Sequence, residues 1–264
     1  MSFADLHFGS RPLLLPNAWD VPSALAFAEA GFTAIGTTSF GVASSLGRPD
    51  GSRASAAANL ALARELAGLG CYLTVDIEDG YSDDAAEVAD YAGQLGVAGI
   101  NIEDSVAGKL ISPAALAAKV AAIKDRHPDL FVNARVDTYW LGQDATLSQT
   151  LGRAARYVDA GADGIFVPGP AEPEVLRELA AGIRAPLNVL VIPSLSLDEL
   201  AGLGVRRVST GSLPYRAALH AAAAVAAAVR DGQPIPAADP YPQLQGRLVR
   251  FARQAGHSDP AGGS

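Results

Sequence analysis

Three glycines at equal intervals, Gly31, Gly96 and Gly161, constrain what this chain can fold into. Each ends an alanine-rich helical stretch and opens an apolar strand, in Ala30-Gly31-Phe32-Thr33-Ala34-Ile35, Leu95-Gly96-Val97-Ala98-Gly99-Ile100 and Ala160-Gly161-Ala162-Asp163-Gly164-Ile165. Glycine suits the left-handed turn that stops a helix before a strand, so these positions need no catalytic role. Their 65-residue spacing is roughly two strand-plus-helix units of a parallel barrel.

The rest of the chain completes the count. Apolar runs at Leu13–Leu15, Thr33–Thr37, Cys71–Val75, Ala98–Ile102, Leu130–Ala134, Gly164–Val167, Pro186–Val191 and Val205–Ser209 read as eight strands. Helical texture lies between them: after the cap Asp20, over Arg53–Leu69 and Asp83–Leu95, from Ser112-Pro113 to His127-Pro128, over Asp144–Ala160, Pro173–Ala181 and Leu197–Leu200, and over Leu213–Arg230. Proline just after a cap is pre-set for a helix start, and the residue before a proline resists the helical region. Continuous apolar strands between helices imply a parallel sheet covered on its outer face. Eight of them imply an α/β fold, a single modified (β/α)8 TIM barrel over residues 1–232. Residues 233–264 read as a linker with four prolines between Gln233 and Pro242, followed by a helix over Tyr241–Gln254 and a tail. This appendage is expected to pack on the barrel or on a neighbouring subunit.

Composition removes several functions. At 49% hydrophobic and 18% charged residues the chain buries a large core and is not disordered. A net charge of −8 leaves no basic field for a nucleic acid. The one cysteine, Cys71, makes no intramolecular disulfide, and at the start of a strand it reads as a buried apolar residue. No apolar run is long enough to span a membrane, including Ala217–Val229 with its His220, and no signal peptide is evident, so a soluble cytoplasmic protein is the expectation. His7, His127, His220 and His257 all lie away from the strand ends, and no P-loop or dinucleotide fingerprint occurs.

Chemistry concentrates where strands run into carboxylates. Val75-Asp76-Ile77-Glu78-Asp79 has an echo one unit later in Ile100-Asn101-Ile102-Glu103-Asp104. In a parallel barrel the C-terminal strand ends form the floor of the active site. Asp76, Glu78 and Glu103 there would hold a hydrated hard cation such as Mg²⁺, which takes oxygen ligands at ~2.0 to 2.1 Å and keeps several waters. Spacing alone equally allows them to cap helices or pair with arginines. Arg135, ending the fifth strand, reads either as the partner of these acids or as a bidentate clamp for a substrate carboxylate or enolate. Thr38-Ser39-Phe40 follows the second strand as a small-residue loop that can cradle an anion with its amides, or is only a loop. Gly47-Arg48-Pro49-Asp50-Gly51 has the residues of a turn, with Asp50 as a catalytic acid or base in the sharper reading.

With these residues located, the chain resembles the isocitrate lyase and phosphoenolpyruvate mutase superfamily over nearly its whole length. The resemblance rests on Leu15-Pro16-Asn17-Ala18-Trp19-Asp20, on Thr38-Ser39-Phe40-Gly41-Val42-Ala43 leading to Leu46-Gly47-Arg48-Pro49-Asp50, on Asp76-Ile77-Glu78-Asp79-Gly80-Tyr81, on Ile102-Glu103-Asp104 and on Ala134-Arg135-Val136-Asp137. It implies a modified barrel, Mg²⁺ with Mn²⁺ as a substitute, and a small 2-oxo or 2-hydroxy carboxylate that reacts through an enolate. By resemblance Asp76, Glu78 and Glu103 match the metal shell, Thr38, Ser39 and Phe40 the carboxylate cradle, Arg135 the enolate-stabilising arginine and Asp50 the functional aspartate. Asn188 and Arg216 match more loosely the contacts to the distal part of the substrate, and Asp76 also meets substrate. The resemblance further implies a homotetramer, a dimer of dimers that exchanges its C-terminal helix.

Two departures narrow the activity. The lyases carry a Lys-Lys-Cys-Gly-His type loop, whereas Asp104-Ser105-Val106-Ala107-Gly108-Lys109-Leu110-Ile111 is short and has no cysteine. That counts against cleavage of isocitrate or 2-methylisocitrate, and the missing mutase gating loop counts against phosphoryl transfer. Glu78 replaces the second aspartate of the usual pair. The expected function is a Mg²⁺-dependent carbon–carbon lyase or decarboxylase, with an oxaloacetate-like acid first because loss of CO₂ needs no protein proton donor. The alternatives are retro-aldol cleavage, phosphonopyruvate hydrolase or phosphomutase-like chemistry at a carbon–phosphorus bond, and a non-catalytic 2-oxo acid binding protein.

Overall fold

A computed structural model describes residues 1–254; the tail 255–264, with His257, lies outside the described residues. The strands are β1 (Leu13–Leu15), β2 (Asn17–Ala18), β3 (Ala34–Thr37), β4 (Tyr72–Asp76), β5 (Gly99–Glu103), β6 (Ser105–Val106), β7 (Lys109–Leu110), β8 (Phe131–Arg135), β9 (Gly164–Phe166), β10 (Leu187–Leu190) and β11 (Val205–Ser209). All but β6 and β7 form one parallel sheet in the order β1-β11-β10-β9-β8-β5-β4-β3-β2. Pro16 has no N–H to give and splits the first strand, so that β1 pairs with β11 while β2 pairs with β3. The two halves bring the ends of the sheet together, which makes the barrel expected from the sequence. Gly31, Gly96 and Gly161 have φ of +86°, +64° and +103°, the left-handed turns for which glycine is suited.

Strand periodicity sorts the side chains. In β5, Ile100 and Ile102 are fully buried against the helices, while Gly99, Asn101 and Glu103 alternate to the barrel interior. Register carries this inward set across neighbours: Asp76 opposite Asn101, Asn101 opposite Asn133, Glu103 opposite Arg135. Phe3, Leu15, Ala34 and Phe131 form a separate apolar cluster at the N-terminal strand ends. His7, from the short helix Ala4–Phe8, stacks on Phe131 there at 4.4 Å. Burial, reinforced by the charge of Arg207, pushes His7 down to about 4 and leaves it neutral.

Several segments read from sequence as loops are ordered elements. Residues Ser39–Ser45 form a helix whose cap, Thr38, accepts from the Gly41 amide at 3.4 Å, and Thr138–Leu141 is a single helical turn. Both are too short to show a helical apolar period. The short segment after Glu103 is a hairpin, β6 and β7, turning at Ala107 and Gly108 with φ of +48° and +75°. Gln143 fastens it, accepting from the Leu110 amide at 3.1 Å and donating to the Gly108 carbonyl at 2.9 Å. The appended helix Tyr241–Gln254 lies on its own barrel, with Arg247 2.7 Å from Glu29 and Phe251 buried. No helix among the described residues is long and apolar enough to cross a membrane.

Candidate active site

A cavity of about 320 Å³ opens at the C-terminal strand ends, with Asp76, Asn101 and Arg135 on its floor and Thr38, Ser39, Phe40, Asp50 and Arg216 around its wall. Seven of the ten residues expected at the site, Thr38, Ser39, Phe40, Asp50, Asp76, Arg135 and Arg216, therefore line one space. Glu78, Glu103 and Asn188 make no part of its wall. Asn188 is fully buried inside the barrel, two residues before the wall residue Leu190, so the distal-contact role suggested for it does not match its position. Its neighbours along β10 gave an apolar run and no hint of which layer it enters.

Arg135 is the hub of the site. Its Nη1 lies 2.9 Å from Glu103 Oε2 and its Nε 2.6 Å from Asp137 Oδ1, and its guanidinium sits over the rings of Trp140 and Phe166 at 5.8 and 5.7 Å. Burial opposes its charge, but Glu103, Asp137 and Asp76 outweigh burial and keep it protonated. Arg135 thus pairs with the acids, as one of its two readings expected, and also lines the cavity. Burial likewise pushes Glu103 well above the carboxylate range, against the pull of Arg135. Withdrawal from water pushes Asp76 up to about 7, countered by Arg135 and reinforced by Asp50.

The echoed acids divide by role. Asp79 accepts from Arg53 Nε at 2.9 Å and Lys119 Nζ at 3.0 Å. Asp104 accepts from the Asp137 amide, Arg153 Nη1 and Tyr157 Oη at 2.8, 2.9 and 2.8 Å. Both clamp neighbouring segments. Removing one partner of such a buried cluster costs about 3–5 kcal/mol, so Asp104→Ala is expected to lower unfolding stability by that amount in a urea titration.

Glu78, expected in the metal shell, is spent elsewhere. Its Oε1 accepts from Ser55 Oγ at 2.6 Å and its Oε2 from the Arg53 amide at 2.9 Å. It holds the segment that carries Asp50, and its own backbone is left-handed at φ +50°. Glu78→Gln is therefore expected to leave Mg²⁺ affinity unchanged while turnover falls by up to ~10²-fold, the scale of a misplaced catalytic group; calorimetry and initial rates separate the two.

The donors fit a hydrated ion and not a closed carboxylate cage. Among the described residues no three His, Cys, Asp or Glu groups come together as a ligand set. Asp76 Oδ1 accepts from the Glu78 amide at 3.1 Å, and its other oxygen has no donor among the described residues. Asp50 and Glu78 repel the Asp76 charge, and Asp76 and Asp50 that of Glu103, with Arg135 the guanidinium that Asp76 and Glu103 share. Asp76 is the acid that would hold a divalent cation here, and most of the remaining ligands would be waters, as Mg²⁺ favours.

The sequence profile of the phosphoenolpyruvate phosphomutase family matches residues 3–230. The chain belongs to this family. An uncharacterized protein of Mycobacterium tuberculosis (strain H37Rv) is 61% identical over 251 residues, 95% of this chain and 97% of its own. The 2-methylisocitrate lyase of Bacillus subtilis is 31% identical over 227 residues, 79% and 74% of the two chains. Among solved structures, a phosphonopyruvate hydrolase complexed with oxalate and Mg²⁺ superposes with a TM-score of 0.82 at 25% identity, covering 97% of this chain and 99% of that one. The last two relatives are named as a lyase and a hydrolase, and the cavity described above lies at the C-terminal strand ends, where parallel barrels carry their active sites.

Asn101 and Trp140 were missed in reading the sequence. Asn101 had a signal, since a lone amide between Ile100 and Ile102 shares its strand face with Glu103. Trp140 had none, because only the turn Thr138–Leu141 brings it over Arg135.

Proposed function

We propose that the chain is a Mg²⁺-dependent lyase acting on a 2-oxo diacid, with decarboxylation of an oxaloacetate-like acid first. The observation that carries this reading is the convergence of Asp76 and Arg135 on one cavity floor. When bound, Mg²⁺ supplies Lewis-acid polarisation of the 2-oxo group. Asp76 would hold the ion through the oxygen that has no donor among the described residues. Arg135, locked by Glu103 and Asp137, turns toward the C2 oxygen, and the amides at the start of Ser39–Ser45 receive the C1 carboxylate. The C3–C4 bond breaks, its electron pair passes into the enolate that Arg135 faces, and CO₂ leaves; C3 then takes a proton.

The short hairpin of β6 and β7, pinned by Gln143, favours this over a reaction that needs a mobile acid-bearing loop. Phosphonopyruvate hydrolysis is the second reading, supported by the full-length likeness to that hydrolase. Initial rates with Mg²⁺ on oxaloacetate, 2-methylisocitrate, dimethylmalate and phosphonopyruvate separate the readings. Turnover of none, with saturable binding of 2-oxo diacids, would favour a binding protein. We further propose a homotetramer: in the alanine-rich helix Leu213–Arg230 only Tyr215 is buried, a face suited to another subunit. Light scattering in solution measures this.

A further inference from the structure

Beneath the cavity floor the barrel holds a cation that no carboxylate touches. Arg207 is fully buried, has no ion pair among the described residues, and lies over the Phe3 ring at 5.9 Å. Nε and Nη1 have no hydrogen-bond partner, and neither amide atom of Asn188, opposite it on β10, has one. Desolvation pulls Arg207 down to about 9. Burying an uncompensated guanidinium is costly, and apolar replacement of buried charges is often neutral or stabilising. Local stability does not explain this residue.

Its one side-chain hydrogen bond does. Arg207 Nη2 donates to Asn101 Oδ1 at 3.2 Å, and Asn133 Nδ2 donates to the same oxygen at 2.9 Å. A guanidinium has no acceptor, so the amide atom facing it has to be the oxygen. Both lone pairs of Oδ1 are then used, and the Asn101 NH₂ has no acceptor among the described residues other than what enters the cavity that Asn101 lines. Gly164 leaves the room that Asn133 occupies, since a Cβ there would come within 2.7 Å of Asn133 Oδ1. Asn101 stands in register beside Asp76 on the same floor as Arg135. We propose that Asn101 is a substrate-contacting residue whose NH₂ donates to the developing C2 oxyanion, and that Arg207 is the positioning residue that fixes which way this amide faces. This rests on the 2-oxo acid reading of the site.

The probe is oxalate, a planar dianion with the shape and charge of an enolate of a 2-oxo acid, titrated calorimetrically in the presence of Mg²⁺ with the full chain. Asn101→Ala is expected to weaken oxalate binding ~10- to 100-fold, the worth of a hydrogen bond to a charged group, with circular dichroism unchanged and a lower thermal midpoint, because Arg207 and Asn133 lose their shared acceptor; titration well below that midpoint keeps the binding readout separate. Arg207→Met is expected to weaken it too, at an unchanged or higher midpoint. In the double variant the Arg207→Met effect is expected to disappear, because a residue acting through Asn101 has nothing left to position. Oxalate affinity of Asn101→Ala equal to wild type overturns the donor role. An additive double variant, or an Arg207→Met protein whose binding falls only as its midpoint falls, overturns the positioning role. Wild-type protein that binds no oxalate removes the proposed function and this inference together, a different result from binding that Asn101→Ala leaves intact.

Discussion

Arg135→Lys is expected to lower kcat/KM by ~10² to 10³, the usual loss when one preorganised charge-stabilising donor is removed, while the fold persists. Lysine keeps the charge, but a point ammonium cannot span Glu103 and Asp137 and still face the cavity, as the planar fork of Arg135 does. It also weakens the cation–π contacts that Arg135 makes with Trp140 and Phe166. Because the arginine meets charge that grows during reaction, the loss should fall on kcat with KM little changed. A KM-only effect, at wild-type kcat, would reassign Arg135 to ground-state binding. Circular dichroism of the variant guards against unfolding, since its two acid partners are buried.

Asp76→Ala is expected to abolish the response to Mg²⁺ in both activity and thermal stability. The pH dependence follows from the same group. Burial pushes the folded-state Asp76 up to about 7, above its ordinary carboxylate value, so the metal-free fold binds a proton more tightly than the unfolded chain does. Its contribution to stability is therefore fully present only below the ordinary value of 3.8 and is lost progressively as pH rises to about 7. Glu103, also raised by burial, adds in the same direction. Mg²⁺ needs the ionised carboxylate, so its binding should weaken below about pH 7 and release a proton there. Melting curves at pH 6 and 8, with and without Mg²⁺, check this: the metal-free midpoint falls toward pH 8 and the ion restores it. Equal midpoint shifts by Mg²⁺ in wild type and Asp76→Ala would place the ion elsewhere.

Much of the architecture was legible in the residue order because it depends on local physics. The left-handed glycines, the caps Asp20 and Ser112, and the apolar runs locate the strands and most helices within a few residues. The strand-end acids and Arg135 were legible for the same reason, since an inward period and a barrel together aim them at one mouth. Short elements escaped, because Ser39–Ser45 and Thr138–Leu141 span barely one or two turns and show no period.

What residue order alone determined is the barrel and the side of it on which Asp76, Glu103 and Arg135 emerge. Only the tertiary structure decided that Glu78 turns to Ser55 and the Arg53 amide, that Asn188 stays below the cavity, and that Arg207 crosses the barrel to Asn101, 106 positions away in sequence. The physical reason is that a strand's own periodicity sets which face a side chain takes, while its partner is set by ring closure and by register among distant strands. Neither of those is written in any one stretch of the chain.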